Sequence, residues 1–378
     1  MRKKSVHLLM VLPVLSLMAC NVHEWPKENY ETYPFTLYMN FEADLPLHKE
    51  VYYTRGTEED TRDENSIYDI RYIVNVYKVK DEQDQNRDVH STYTFTRQYI
   101  ANHNHQVTLD LPEGKYRFRV WSDHVVPGTM DDHFYHTVDF TEIKLNENDG
   151  HKGSNEFRDA FKGNTYGEVY DPELYMIHNG QMPDNSATAA MMRPMGRYEF
   201  ISTDMDDFLD KAIESADLAT RQMLQEMVSR AESRGGDTKS EIFWNGLTRD
   251  EVAEAIGLDK YRVVFAYNAF MPSSYNMYTD KPSDSSTGVQ YESTMSVGNE
   301  GMQLGFDYIL VDDETTMNMN MGIYNGDGEL VASTSGVEVP VARSKNTIVK
   351  GLFLTVTSGG GVAINPDFEG PDFDIEIK

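Results

Sequence analysis

Apolar residues fall on every second position in short stretches along most of the chain. Phe35, Leu37, Met39 and Phe41 alternate with Thr36, Tyr38 and Asn40. Ile70, Tyr72, Val74 and Val76 repeat the pattern, followed by Val107, Leu109 and Leu111, and then by Tyr116, Phe118 and Val120. Side chains of a strand point to opposite faces in turn, so this period describes strands with one buried face. Phe134, Val138 and Phe140 suggest a further strand. Strands are expected again at Met195–Phe200, Tyr261–Phe270, Met302–Val311, Thr316–Tyr324 and Asn346–Val356, and Phe373, Ile375 and Ile377 alternate up to the last residue. Many short strands separated by turn signals predict a mainly β protein built from sandwiches.

Two turns carry their own chemistry. In LPEGKY, Leu111–Tyr116, proline presets φ at the first turn position and glycine tolerates a positive φ, which predicts a hairpin. Asn325-Gly326-Asp327-Gly328 predicts a second one. The stretch from Asn146 to Ala187 is rich in Gly, Asn, Asp and Pro with weak periodicity, and a break is expected near Pro183–Ser186. The resulting organisation is a β-sandwich domain at 34–184 and another at 185–378. The second domain carries a helical insertion at 204–256. Apolar residues from Met205 to Ala231 recur at spacings of three and four, the stripe of one long amphipathic α-helix, with Thr203 as its N-cap and Gly235-Gly236 as its stop. Thr248 and Glu251 form a capping box that opens a short helix through Ile256.

The chain opens with Arg2, Lys3 and Lys4, then an apolar run from Val6 to Ala19. That run is shorter than the roughly 20 residues a membrane span needs. A charged start, a short apolar core and a small residue before the break describe a signal peptide over residues 1–19. Leu17-Met18-Ala19-Cys20 resembles a lipobox, in which the cysteine thiol is acylated and the chain is cut before it. Cys20 is the single cysteine of 378 residues, so no disulfide framework competes for it. The expectation is a lipoprotein held to the membrane by its N-terminal acyl chains, with a polar tether over 20–33. Between Arg55 and Asn65 lies RGTEEDTRDEN, a stretch without an apolar residue, expected to be an exposed loop.

With 34 Lys and Arg against 62 Asp and Glu, the net charge is −28, and losing three cations with the signal would take it to −31. Such a surface repels phosphate backbones, so no nucleic acid is expected as a partner. No GxSxG, Walker loop, GxGxxG after a strand, or HExxH occurs, and an acylated Cys20 leaves no thiol nucleophile. Neither catalytic residues nor a cofactor are expected. His103 and His105 in NHNH, and Asp131, Asp132, His133 and His136 in DDHFYH, match no standard zinc spacing, and no metal site is assigned to them. Met317, Met319 and Met321 could hold soft copper(I), but at strand spacing they are expected in the core. The stretch Asn325, Asp327 and Glu329 is too short for a calcium loop of the EF type.

Three stretches carry a family resemblance: LPEGKYRFRVWSDH at Leu111–His124, RPMGRYEF at Arg193–Phe200, and VPVARSKNTIVKGLFLT at Val339–Thr355. Together with the lipobox, they resemble the fimbrillin-like lipoproteins of Bacteroidales, which include major and anchor subunits of the type V pilus. The resemblance implies two tandem transthyretin-like β-sandwiches, exported as an outer-membrane lipoprotein, possible at the cell surface, that works in fimbrial assembly, anchoring or adhesion. It further implies that polymerising subunits are cut after an arginine in the first domain, which removes the first strand and opens a groove for a neighbour's strand. Anchor subunits keep both strand and lipid. Arg55 and Arg62 are the candidate processing positions here. The expected partners are the membrane and other fimbrial or surface proteins, joined by β-strand addition. The alternative, prompted by 23 tyrosines, is a lipoprotein that binds surface glycans or nutrients.

Overall fold

The computed structural model of the chain describes residues 31–41, 68–79, 94–100, 105–181, 183–233, 241–355, 358–362 and 372–377. Its first part runs β1 (Thr32–Phe41), β2 (Asp69–Lys78), β3 (Thr94–Ile100), β4 (Gln106–Pro112), β5 (Gly114–Val125), β6 (Tyr135–His136), β7 (Ile143–Leu145), β8 (Phe161–Val169), helix α1 (Pro172–Asn179) and β9 (Ser186–Met192). Next come β10 (Met195–Ser202) and helices α2 (Met205–Ser215), α3 (Leu218–Ser233) and α4 (Arg249–Ala255). Strands β11 (Arg262–Tyr267), β12 (Met271–Asn276), β13 (Lys281–Ser286), β14 (Gln290–Ser293), β15 (Ser296–Val297), β16 (Met302–Leu310) and β17 (Glu314–Tyr324) follow. The chain closes with β18 (Leu330–Ala342), β19 (Asn346–Gly351), β20 (Ser358–Val362) and β21 (Asp372–Ile377).

The protein is mainly β, as the alternation predicts. Seven strands pair in the order β3-β2-β5-β8-β9-β1-β4. Phe35, Leu37, Val74, Val76, Leu109, Phe118 and Val120 meet in one core on the inner side of this sheet. Two five-stranded sheets, β15-β16-β10-β19-β21 and β14-β11-β17-β18-β20, share a second and larger core, where Phe200 of β10 meets Phe265 of β11 at 5.4 Å. Met317, Met319 and Met321 all point into that core, as expected from their strand spacing. A small sheet, β13-β12-β7-β6, mixes strands from both halves of the sequence. β9, beyond the break expected near Pro183–Ser186, pairs with β8 and β1 inside the first sheet.

β2 is buried on both faces, unlike the alternating β1 and β4. Tyr72, Val74 and Val76 face the first core, while Ile73 and Trp121 of β5 belong to the second. A strand sandwiched between two cores loses its polar alternation because neither side meets water.

Several expectations are corrected. LPEGKY does not close a hairpin: β4 pairs with β1, and β5 pairs with β2 and β8. Its turn is an arch between strands that are not neighbours, held by the Tyr116 hydroxyl donating to the Pro112 carbonyl at 2.8 Å. Asn325–Gly328 does close a hairpin, between β17 and β18, with the Asn325 side chain accepting from the amides of Asp327 and Glu329 at 3.1 and 2.9 Å. The stretch around Phe134 forms only the two-residue β6, and Val138 is 98% exposed. Thr32 and Tyr33, expected to belong to the tether, pair with β4 instead.

The single helix expected over Met205–Ala231 is two. It breaks at Ala216, whose ψ of 140° leaves the helical range. Asp217 then accepts the amide of Thr220 at 2.7 Å, an N-cap bond three residues ahead. A capping aspartate offers the backbone an alternative to continuing the helix, and an apolar stripe does not register it. Thr203 is not the cap of α2 either; Asp204 occupies that position without a capping bond. Its carboxylate is spent on Thr355, taking the backbone amide at 2.8 Å and the hydroxyl at 2.6 Å. Burial pushes the Asp204 carboxyl up, but hydrogen bonds from Ser202 and Thr355 outweigh it and hold the pKa below the usual range. The capping box of Thr248 and Glu251 opens α4 as expected.

Candidate functional site: the first strand and its surroundings

β1 has the sequence TYPFTLYMNF, with Phe35, Leu37, Met39 and Phe41 turned inward. It runs antiparallel to β4, from Thr32 opposite Pro112 to Tyr38 opposite Gln106, and parallel to β9, from Thr36 opposite Ser186 to Phe41 opposite Met191. β1 is thus an interior strand, paired on both edges. The Phe35 ring stacks on Phe118 at 4.9 Å with an interplanar angle of 11°, and Phe41 meets Phe161 edge-on at 4.9 Å. Gly167 makes room for Phe35, since a Cβ at that position would collide with the ring. Where the chain enters the strand, the Tyr33 hydroxyl donates to Asp171 at 2.8 Å.

Around this unit, buried charges tie the first half of the chain to the second. His151 places Nδ1 2.9 Å from Glu147 and Nε2 2.6 Å from Asp307 of β16. Arg158 donates to the same Asp307 carboxylate, and the Tyr267 hydroxyl reaches it at 2.6 Å. The Tyr308 amide supplies a fourth donor at 2.7 Å. Burial would raise the Asp307 pKa, but the charges of Arg158 and His151 bring it down to about 2. Burial likewise lowers the pKa of His151, and the Asp307 charge reverses this, so the net direction is upward. The two carboxylates favour the charged ring, while the Arg158 guanidinium, 3.0 Å from Nε2, opposes it.

A second cluster joins Lys162 of β8 to Asp280, which also accepts from Tyr275 and, at 3.2 Å, from Arg343. Arg119 of β5 lies 4.2 Å from the Tyr278 ring centroid and donates to the Met277 carbonyl at 2.5 Å. Around Asp307 the hydrogen-bonding capacity is spent. Every acceptor site of Asp307 is filled by a protein donor, which suits a clamp between parts of the fold and not a group that turns over substrate. None of these residues was legible as a cluster, because Arg158 and Asp307 stand 149 positions apart with no local motif around either.

Cys20, Arg55, Arg62 and His103 lie outside the described residues. His105 bonds through Nδ1 to the Tyr72 hydroxyl at 2.7 Å. Asp132 of the DDHFYH stretch binds Arg71 at 3.0 Å and the Thr137 hydroxyl at 2.7 Å. Among the described residues no three His, Cys, Asp or Glu side chains converge as a metal site, and no helix is long and apolar enough to cross a membrane. The C-terminal strand β21 pairs within the chain, running parallel to β19 from Asp372 opposite Asn346 to Ile377 opposite Gly351.

The fold and this site define a mainly β protein of several sheets, in which the first strand is an interior member of its sheet. The chain belongs to DUF6562, a family of unknown function whose pattern matches residues 33–378. No curated protein matches it. Among solved structures it is similar to a candidate cell adhesion protein from Bacteroides eggerthii, at 9% identity and a TM-score of 0.40 over 92% of this chain and 98% of that one. It is also similar to the fimbrial anchor protein Mfa2 from Porphyromonas gingivalis, at 10% identity and a TM-score of 0.34 over 80% and 82% of the two chains. A candidate adhesin from Bacteroides ovatus gives 10% identity and a TM-score of 0.35 over 80% and 78%.

Proposed function

We propose that this protein is an exported lipoprotein, acylated at Cys20 and held at the outer membrane. Its work is fimbrial assembly, anchoring or cell adhesion, as an anchor or accessory subunit. The observation that carries this reading is the position of β1 between β9 and β4 with its apolar face in the core. A subunit that keeps its first strand keeps its sheet closed and stays joined to whatever precedes that strand, here the stretch containing Cys20. Removing β1 would instead uncover the inner faces of β4 and β9 and free the edges of both strands to pair with another chain. A cut after Arg55 or Arg62, between β1 and β2 in sequence, is the route to that state. The two tandem transthyretin-like sandwiches belong to the same reading. The pairing of Ser186–Met192 within the first sheet favours a division near Arg193–Pro194 over one at 184–185.

Intact-mass and N-terminal analysis of protein purified from its native membrane tests the proposal. A mass for acylated Cys20 onward supports the anchor or accessory role. A lipid-free N-terminus at Gly56 or Asp63 replaces it with a polymerising subunit. Glycan binding is the second reading, favoured by the exposed aromatic rings of Phe270 and Tyr38; loss of glycan retention in Phe270→Ala would select it.

A further inference from the structure

Helix α1, Pro172–Asn179, buries none of its residues. Leu174 and Met176 are each 52% exposed and Ile177 is 76% exposed, while Tyr175 turns inward and packs on Tyr170 at 4.7 Å. Three large apolar side chains on eight residues form a patch that none of the described residues covers. Its local chemistry is otherwise complete. Asp171 caps the helix by accepting from Glu173 and Leu174 at 2.8 and 3.1 Å, and Gly180 closes it in the left-handed conformation.

The position of this helix says what covers it. Asp171, its cap, is the residue that accepts from Tyr33 at the start of β1. The loop leaving the helix is fastened to the same end of the sheet, through Asn185 bonded to Tyr170 at 3.0 and 3.1 Å and to the Thr36 amide at 2.9 Å. The patch therefore sits where the chain from Cys20 enters the fold. From Cys20 to Thr32 the chain reaches at most about 40 Å fully extended, so acyl chains on Cys20 keep this end near the bilayer. Contact between patch and lipid is then intramolecular, at an effective concentration on the order of a millimolar, and a small patch suffices. The net charge, −28 for the full chain and −31 once Arg2, Lys3 and Lys4 are lost, and the exposed Glu173 give anionic lipid no attraction, so the contact must be apolar.

We infer that α1 is a membrane-seating helix: Leu174, Met176 and Ile177 enter the headgroup–acyl boundary beside the anchor and set the tilt of the protein on the bilayer. The inference rests on the acylation reading of Cys20. Interfacial helices bury their apolar face about 5–10 Å deep, within reach of quenchers carried on acyl chains.

The test uses the chain from Cys20 onward, made without acylation and coupled through its lone thiol to a diacyl maleimide lipid. It is seated on vesicles of phosphatidylcholine and phosphatidylethanolamine with brominated acyl chains. Two variants, Ile177→Trp and Phe270→Trp, each add one tryptophan to the three natural ones. Brominated lipid is expected to remove most of the emission added at 177 and none of that added at 270, with no change on adding anionic lipid. Absence of quenching at 177 with the lipid in place overturns the inference, as does equal quenching at both positions. Sedimentation of the uncoupled chain supplies another arm: self-association abolished by Leu174→Glu with Ile177→Glu would assign the patch to a second copy and overturn it. Because the lipid is attached chemically, a native protein lacking acyl chains would fail the anchor reading separately, on its intact mass.

Discussion

Nε2 of His151 lies 2.6 Å from Asp307, across 156 positions of sequence, and Nδ1 of the same ring lies 2.9 Å from Glu147. Together with Arg158, which donates to the same carboxylate, this ring fastens the segment between β7 and β8 to β16, and protonation of the ring strengthens the tie.

The pKa of His151 is raised on folding, so its contribution to stability is complete below the unfolded value near 6.5 and is lost as pH rises through the folded value. Urea denaturation at pH 6 and pH 9 is expected to show lower stability at the higher pH. His151→Gln should flatten that difference and cost about 1.5–3 kcal/mol at pH 6, the range for hydrogen bonds to charged groups. An unchanged pH slope in the variant would remove His151 from this role.

Asp307→Asn leaves Arg158 and His151 buried beside a neutral amide. Breaking a buried pair from one side costs about 3–5 kcal/mol, so the variant is expected to melt well below the parent. The wild-type contribution of Asp307 is present above the unfolded carboxyl pKa of 3.8 and fades as pH falls towards about 2, where the folded group titrates. A melting temperature within a degree or so of the parent would show that the site relaxes or admits water.

Gly196 stands in RPMGRYEF at the start of β10, where a Cβ would strike the carbonyl oxygen of Ala342. Gly196→Ala must push β10 away from the end of β18, and overpacking of this kind costs about 1–3 kcal/mol. Denaturation midpoints of the two proteins measure it directly.

Tyr116→Phe removes the bond that pins the arch between β4 and β5 and should cost about 0.5–1.5 kcal/mol. Hydrogen exchange should quicken at Leu111–Gly114 with little change in β2.

Asp217→Ala removes the N-cap of α3 and is expected to cost about 0.5–2 kcal/mol, read as local loss of exchange protection over Leu218–Gln222. A gain of helix across Ala216, seen by circular dichroism, would show that the cap alone enforces the break.

The alternation of Phe35, Leu37, Met39 and Phe41 determined a strand and its buried face without reference to the rest of the chain, because a period of two allows no other regular structure. The side-chain chemistry of Asn325-Gly326-Asp327-Gly328 and of the Thr248–Glu251 capping box likewise acts within a few residues, and both were legible in full. LPEGKY shows where local reading stops. Proline and glycine state that the chain turns, yet whether the flanking strands pair with each other depends on partners far away, and here β1 takes β4 while β2 and β8 take β5. The apolar stripe over Met205–Ala231 hid the break at Ala216 because both helices present the same spacing to it. Only the tertiary structure decided that β2 lies between two cores and that His151, Arg158 and Asp307 meet. A buried charge is tolerable solely where its partners converge in space, and their separations in sequence carry no trace of that convergence.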